Sequence, residues 1–160
     1  MTAPTAALRA ALTDQATDVR GLSVRQPWAS AIAHLGKRVE NRGRPVTYTG
    51  HVLIHASRTP DAPAMREAPT DLPHRDARGA ILAVARIADC HSATTCAGRC
   101  DPWAEPPIDW AEPRPIWHWR LADVVPLAYP VSARGAVYLW RPAMGLRHQV
   151  AASLPTEGGV

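Results

Sequence analysis

The chain has 160 residues, of which 46% are apolar and 20% are charged, a size and composition typical of one soluble globular domain. Its three cysteines are too few for the disulfide framework of a small secreted protein, and its longest apolar run, residues 80–85, is too short to span a membrane. The N-terminal residues also lack the apolar segment of a signal peptide, so we expect a cytoplasmic protein with no membrane association. A net charge of +4 mildly favours an anionic partner such as nucleic acid.

Hydrophobic periodicity and the 16 prolines predict short strands joined by irregular connections and a few short helices. Pro27 suits the first turn of one helix, whose face of Trp28, Ile32 and Leu35 is predicted to be buried, and Gly36 is a typical helix stop. The predicted helical segments are residues 4–18, 27–35, one turn around 64–67, and a short helix within the last twenty residues. The predicted strands or extended segments are residues 20–24, 37–42, 51–57, 79–89, 116–125 and 135–140.

We found no internal repeat and no composition shift that would separate two domains. Residues 1–19 are predicted to form an accessory helix, residues 20–142 the main domain, and residues 143–160 a short helix with a flexible tail. Residues 90–115 are predicted to be an irregular, proline-rich insertion. The absence of regular strand–helix alternation favours an α+β fold or a small β-barrel over a parallel sheet.

Three segments, SVRQPWASAI, GKRVENR and YTGHVLIHAS, together resemble the ASCH (activating signal cointegrator homology) domain family. The family's opening motif, serine–x–x–glutamine–proline–tryptophan, is present, and its signature residues correspond to Gly36, Lys37, Glu40 and Arg42. The likeness extends over roughly residues 20–142. It implies an α+β fold, a PUA-like small mixed β-barrel of five or six strands flanked by short helices, with a cleft beside the first helix of the domain.

The same resemblance implies binding of RNA or a nucleotide, since some relatives hydrolyse RNA and some remove acyl groups from N4 of modified cytidine. In the amidohydrolase relatives a threonine stands three positions after the lysine, whereas this chain has Glu40 there. Lys37 could contact phosphate or act as a base, or could form an ordinary surface ion pair with Glu40. Glu40 could orient Lys37, accept a hydrogen bond from a base edge or activate water. A salt-bridge network with Arg42 that only fixes the strand remains an equal alternative.

Five further residues are predicted to complete a basic ligand cleft. Arg25 and Gln26 precede a helix, where free backbone N–H groups attract anions, although Gln26 could instead cap that helix. His55 and Ser57 are expected to line the cleft, because a serine nucleophile would need a third, orienting group. Arg134 is a second candidate phosphate contact. We expect no cofactor.

Cys90, His91, Cys96 and Cys100 offer four potential zinc ligands within eleven residues. The spacing lacks the close C-x-x-C pairs of common structural sites, and adjacent Cys90 and His91 would rarely both bind one ion. No metal is therefore predicted, with this cluster kept as the alternative.

Four tryptophans lie between residues 103 and 119. Trp117 and Trp119 share a strand face and are predicted to fill the barrel, whereas Trp103 and Trp110 could either stack on bases or pack. Three functions thus remain open. They are binding of RNA, single-stranded nucleic acid or a nucleotide, hydrolysis of RNA or an acylated cytidine through Lys37 and Glu40, and protein interaction through residues 90–115.

Overall fold

The computed structural model describes residues 3–107 and 115–156, and in these residues six strands form one mixed sheet. The strands are β1 (Arg20–Val24), β2 (Val39–Arg42), β3 (Gly50–Ala56), β4 (Ala80–Ser92), β5 (Trp117–Ser132) and β6 (Leu139–Trp140). The helices are α1 (Ala3–Thr13), α2 (Trp28–His34), α3 (Ala62–Glu67), α4 (Ala93–Cys96) and α5 (Met144–Ala152). The sheet is a half-barrel, ordered β2-β5-β4-β3-β1-β6, in which only the β1–β3 pair is parallel among the described strands. The predicted α+β class and strand number are confirmed.

Each face of the sheet has its own core, because alternate residues of a strand point to opposite faces. Val52 and Ile54 of β3 belong to the first core, which α2 covers, whereas Leu53 between them belongs to the second. Trp119 fills the first core and Trp117 packs against it, as their spacing on one strand predicts. Helices α1 and α5 cover the second face, so the two ends of the chain meet on the side opposite to α2.

Strands β4 and β5 are longer than predicted. The predicted strand ended at residue 125, but β5 continues through Pro126 and Pro130 to Ser132. Its ladder with β4 has register shifts around Ala83 and Val84, opposite Pro126, where an irregular ladder tolerates a residue without an N–H donor. Strand β4 also continues to Ser92, so the beginning of the predicted irregular insertion is regular strand.

Helix α2 buries Ile32, as predicted, together with its small neighbours, but not the rest of the predicted face. Ala29 to Ala33 are all buried, but Trp28 is only half-buried and Leu35 is 41% exposed. Seven residues make two turns, and the chain leaves the helix before Leu35 can follow the buried stripe. Helix α1 likewise ends at Thr13, earlier than predicted. No helix in residues 3–107 or 115–156 is long and apolar enough to cross a membrane.

Arg147 joins the two terminal helices. Its guanidinium, 5% exposed in α5, donates hydrogen bonds to the carbonyls of Ala11 and Leu12 at the end of α1 and to those of Asp14 and Thr17 beyond it. The last carbonyls of a helix have no partner within the helix, and Arg147 supplies donors to those of Ala11 and Leu12, of which the contact with Leu12 is buried. The domain boundaries drawn from the sequence stay a prediction, and residues 157–160 of the predicted tail lie outside the described residues.

We predict that Arg147→Met lowers the free energy of unfolding by about 2–4 kcal/mol, because four carbonyls lose a charged donor. For a chain of this size the melting temperature should fall by roughly 5–15 °C, measured by circular dichroism. Arg141→Met is the matched control, since Arg141 is exposed and makes only a long contact of 3.4 Å with Asp18. Equal melting temperatures for Arg147→Met and the wild type would contradict the proposed role.

Candidate functional site

Lys37, the lysine of the family signature, is buried. Helix α2 ends and Gly36 adopts a positive φ of 72°, which reverses the chain and places the amide of Lys37 on the carbonyl of Ala31. Lys37 is only 3% exposed. Its ammonium donates to the carbonyl of Val39 and, at 3.0 Å, to Oε2 of Glu40. An ammonium has three donors, so among the described residues one hydrogen is left for a ligand.

Glu40 bridges the two cations of the signature. Its Oε1 lies 3.2 Å from Nε of Arg42, a charge contact whose angle does not make a hydrogen bond. Arg42 also donates to the carbonyl of Ser23 at 2.7 Å, and its guanidinium lies 5.6 Å from the ring centre of Trp119. Glu40 and Arg42 both project on the same side of β2, as their spacing predicts. The signature is therefore a partly buried network rather than a solvated surface pair.

This network lines a cleft of about 710 Å³. One wall is formed by Trp28 and Trp103, whose rings meet edge to face with centroids 6.2 Å apart. Asn41 fixes that wall by donating to the carbonyl of Trp103 and accepting from the amide of Glu105, both at 3.0 Å. The facing wall is the segment before β6, where Val137 is 91% exposed and Tyr138 is 49% exposed.

The charges around the cleft nearly balance. Arg25, Lys37 and Arg42 are offset by three carboxylates, those of Glu40, Asp61 and Glu105. Asp61 accepts a hydrogen bond from Nε1 of Trp28 at 3.1 Å, which orients that ring. The basic cleft predicted from the sequence is thus a polar cleft of mixed charge, better suited to a nucleobase than to a run of phosphates.

A second groove of about 490 Å³ continues from the cleft across Ser23 and Ser57. Its charged lining among the described residues consists of Arg58 and Arg134, with no carboxylate. Gly135 packs directly against the His55 ring in this groove. A Cβ at position 135 would lie 2.3 Å from that ring, so the loop can take this position only without a side chain. Arg134 and His55 therefore line the second groove, whereas Ser57 borders both.

His55 is buried and serves the fold. Burial lowers its pKa below the ordinary value, against the opposing effect of its contact with the carbonyl of Ala133, 3.0 Å from Nε2. A carbonyl can only accept, which places the proton on Nε2, and Nδ1 then faces the Ser23 hydroxyl at 3.1 Å. Ser57 instead donates to the carbonyl of Thr59, so His55 and Ser57 form no dyad.

Two predictions about the start of α2 are wrong. Gln26 is fully buried, and its amide is engaged with Ser30 and with the carbonyls of His74 and Ala77, so it stabilises the fold and does not line the cleft. The expected anion site at the helix N-terminus is also absent. The first amides of α2, from Trp28 to Ala31, already donate to the carbonyls of Arg25 and Pro27 or to Oε1 of Gln26.

The structure rearranges the predicted cysteine–histidine cluster. His91, Cys96 and Cys100 converge, but the fourth member is His118 of β5 rather than Cys90. Cys90 packs against the first core, where burial raises its pKa. Burial also opposes ionisation of Cys96, but hydrogen bonds with His91 and Cys100 outweigh it and lower its pKa to about 6.

Several residues at these sites were not predicted. Ser23, Asn41, Asp61 and Tyr138 lie far apart in sequence, and only the chain topology brings them together. His118 had a usable signal: a residue between two core-facing tryptophans must face the other side of its strand. Trp103 lines the cleft, and Trp110 lies outside the described residues.

The comparisons with known proteins agree with this fold. The sequence model described as the ASCH domain matches residues 22–126. The crystal structure of ASCH from Zymomonas mobilis superposes with a TM-score of 0.58 at 14% identity, covering 86% of this chain and 96% of that one. Tyrosine-to-phenylalanine and serine-to-alanine mutants of that protein give the same TM-score and identity over 86% of this chain and 99% and 97% of theirs. No curated protein sequence matches. With a family match over more than half of its length and an ASCH-like sheet, the chain belongs to the ASCH domain family.

Proposed function

We propose that this protein binds RNA or a modified nucleoside, with one base in the cleft and the adjoining phosphates in the second groove. The observation on which this rests is the Lys37 ammonium, buried beside Glu40 with one hydrogen uncommitted among the described residues, at the floor of a cleft walled by Trp28 and Trp103. Burying charged groups is costly unless they are paired, so such a network is more readily explained by a ligand than by stability alone. Membership of the ASCH family supports a nucleic-acid ligand.

The cleft offers both parts of base recognition. Tryptophan rings supply a stacking surface that any base can use. The Lys37 ammonium can donate to a base carbonyl while Glu40 accepts from an exocyclic amine, and these are the groups on the pairing edge of cytosine. The volume of about 710 Å³ is ample for a nucleoside.

The second groove would hold the anionic half of such a ligand. Arg58 and Arg134 line it without a neighbouring carboxylate, and guanidinium groups suit phosphate oxygens. Because the two grooves share Ser23 and Ser57, a nucleotide with its base on Trp103 could extend its phosphates over Arg134. A cytoplasmic location fits this proposal, since the three cysteines are unpaired.

Hydrolysis of RNA or of an acylated cytidine is the second candidate, and the same buried ammonium favours it. The uncommitted hydrogen of Lys37 could stabilise an oxyanion. Glu40 could activate water through the lone pairs that its contacts with Lys37 and Arg42 leave free. Protein interaction through residues 90–115 receives less support, since none of the exposed large apolar side chains lies in the described part of that segment.

We predict that replacing the charged pair together, with Lys37→Met and Glu40→Gln, weakens nucleoside or RNA binding by roughly tenfold to a hundredfold, the value of one or two charge-assisted hydrogen bonds. Removing both charges leaves neither Lys37 nor Glu40 as a lone buried ion, and Arg42, whose side chain is 28% exposed, keeps its hydrogen bond to the carbonyl of Ser23, so the fold should survive, checked by circular dichroism. Isothermal titration with cytidine, N4-acetylcytidine and short RNA and DNA oligonucleotides measures the effect. Arg86→Met is the control, because Arg86 pairs with Asp123 away from both grooves. No binding by the wild type to any of these probes at low salt would overturn the proposal.

We predict that Trp103→Ala lowers affinity by about 1–3 kcal/mol for both nucleosides and oligonucleotides, because a stacking surface is lost. Because Asn41 bonds to the backbone carbonyl of Trp103, the backbone of this wall should keep its position in the variant. Trp103→Phe should restore part of the affinity, since phenylalanine also offers an aromatic ring. Fluorescence anisotropy measures both variants. Equal affinities for Trp103→Ala and the wild type would exclude stacking on this ring.

We predict that Arg134→Gln reduces the slope of log affinity against log salt by about one for RNA, because one phosphate contact is lost. Binding of free nucleosides, which carry no phosphate, should be unchanged. Arg58→Gln should behave alike, and Arg86→Gln should change neither quantity. An equal loss for nucleosides and RNA would place Arg134 at the base rather than at the phosphate.

If the wild type turns over N4-acetylcytidine or structured RNA, the paired Lys37→Met and Glu40→Gln variant should reduce kcat to the background rate. Turnover that survives this change would assign the chemistry to other residues and leave the pair with binding alone.

A further inference from the structure

We propose that His91, Cys96, Cys100 and His118 bind one Zn²⁺ ion in a closed, structural site. The four side chains come from three elements: His91 from β4, Cys96 and Cys100 from and just beyond α4, and His118 from β5. Their donor atoms all lie within 4.8 Å of one another. Two thiolates and two imidazoles form a common ligand set of structural zinc sites.

The distances around His118 fit an ion better than hydrogen bonds. Its Nδ1 lies 3.3 Å from the sulfur of Cys96, 3.3 Å from that of Cys100 and 3.4 Å from Nε2 of His91. One ring nitrogen has a single hydrogen or a single lone pair, so it cannot satisfy three partners at once. Bond lengths of about 2.3 Å to sulfur and 2.0–2.1 Å to nitrogen give a tetrahedron with edges of about 3.3–3.8 Å, close to these separations.

Both histidines have a neighbour of the kind that orients metal ligands. Nε2 of His118 lies 2.8 Å from the carbonyl of Glu105, which places the ring proton on Nε2 and leaves the lone pair of Nδ1 free for an ion. A carboxylate oxygen of Asp89 lies 3.6 Å from Nδ1 of His91, longer than a hydrogen bond, and Nε2 of His91 faces the cluster. Such carboxylate and carbonyl partners fix the ring and its protonation state.

The backbone is arranged to bring the ligands together. His91 and His118 are direct partners in the β4–β5 ladder, so they share a face of the sheet, while Cys90 faces Trp119 on the other. Between the two cysteines, Ala97 and Gly98 both have positive φ, which turns the chain so that Cys100 returns toward Cys96. Four protein ligands leave no open position for substrate, and two thiols lose their protons to solvent on binding.

The site would anchor the aromatic wall of the cleft. His118 contacts the carbonyl of Glu105, whose amide donates to Asn41, and Asn41 in turn donates to the carbonyl of Trp103. A filled site therefore fixes residues 97–107 against β2 and β5. This role does not depend on what the cleft binds.

The first test is the metal content of reduced protein purified without chelator. Elemental analysis should find one zinc per chain in the wild type and in Cys90→Ser, the matched control, and far less in Cys100→Ser. Titration with Co²⁺ should produce thiolate charge-transfer absorption and the intense visible bands of a tetrahedral ion, a readout that needs only the folded wild type. Asp89→Ala should weaken zinc affinity by up to about tenfold, through loss of the carboxylate beside His91. Absence of zinc together with no uptake of Zn²⁺ or Co²⁺, or equal loss of metal in Cys90→Ser and Cys100→Ser, would overturn the site.

The second test is hydrogen exchange with and without a chelator. Removal of zinc should increase exchange in residues 97–107 by at least tenfold while leaving β1 and β3 unchanged, and added Zn²⁺ should restore protection. Exchange in 97–107 that is indifferent to metal would overturn the anchoring role even if zinc is bound.

Discussion

The first four residues of β5 pair with β2 on one side and with β4 on the other, and this pairing determines where the two sites of the domain lie. Residues 117–120 lie opposite β2 on one side and opposite the end of β4 on the other. The alternation of side chains then separates two environments. Trp119 and its partner Glu40 face the first core and the cleft, whereas His118 and its partner Asn41 face the side where His91 and the two cysteines meet. A shift of one residue in this register would exchange the two sets and remove both sites.

The buried ion network shows how a small domain keeps charges near its core. Lys37 and Glu40 are both less than a tenth exposed, and their desolvation is compensated by mutual contact and by the carbonyl of Val39. Arg42 completes the network and packs its guanidinium near Trp119. An apolar set of side chains could fill this space at similar stability, so the network is not required for the stability of the fold.

Much of the fold was predictable from local pattern, and the sites were predictable only in part. The alternation in β3, the positions of β1 and β2, and the inward tryptophans of β5 follow from two-residue periodicity. The high proline content predicted shorter strands than β5 shows. A strand whose ladder is irregular can contain prolines, whereas a regular ladder cannot, because proline has no N–H donor. Gln26 was misassigned because a motif identifies a residue without saying whether it faces ligand or core. The place of Asn41 in the cleft, by contrast, depends on contacts with Trp103 and Glu105 that no local pattern contains.

The hydrogen bonds from Arg147 to the end of α1 have a practical consequence for where tags and labels can be attached. Because α1 and α5 lie together on the sheet face opposite to α2, the two terminal helices lie away from the α2 side of the sheet, where the cleft opens. An affinity tag, a dye or a surface tether beyond either helix would therefore leave the cleft open. Fusion at an end that displaces α1 would be a poor choice, since it would strip the cover from Leu53 and Ile81.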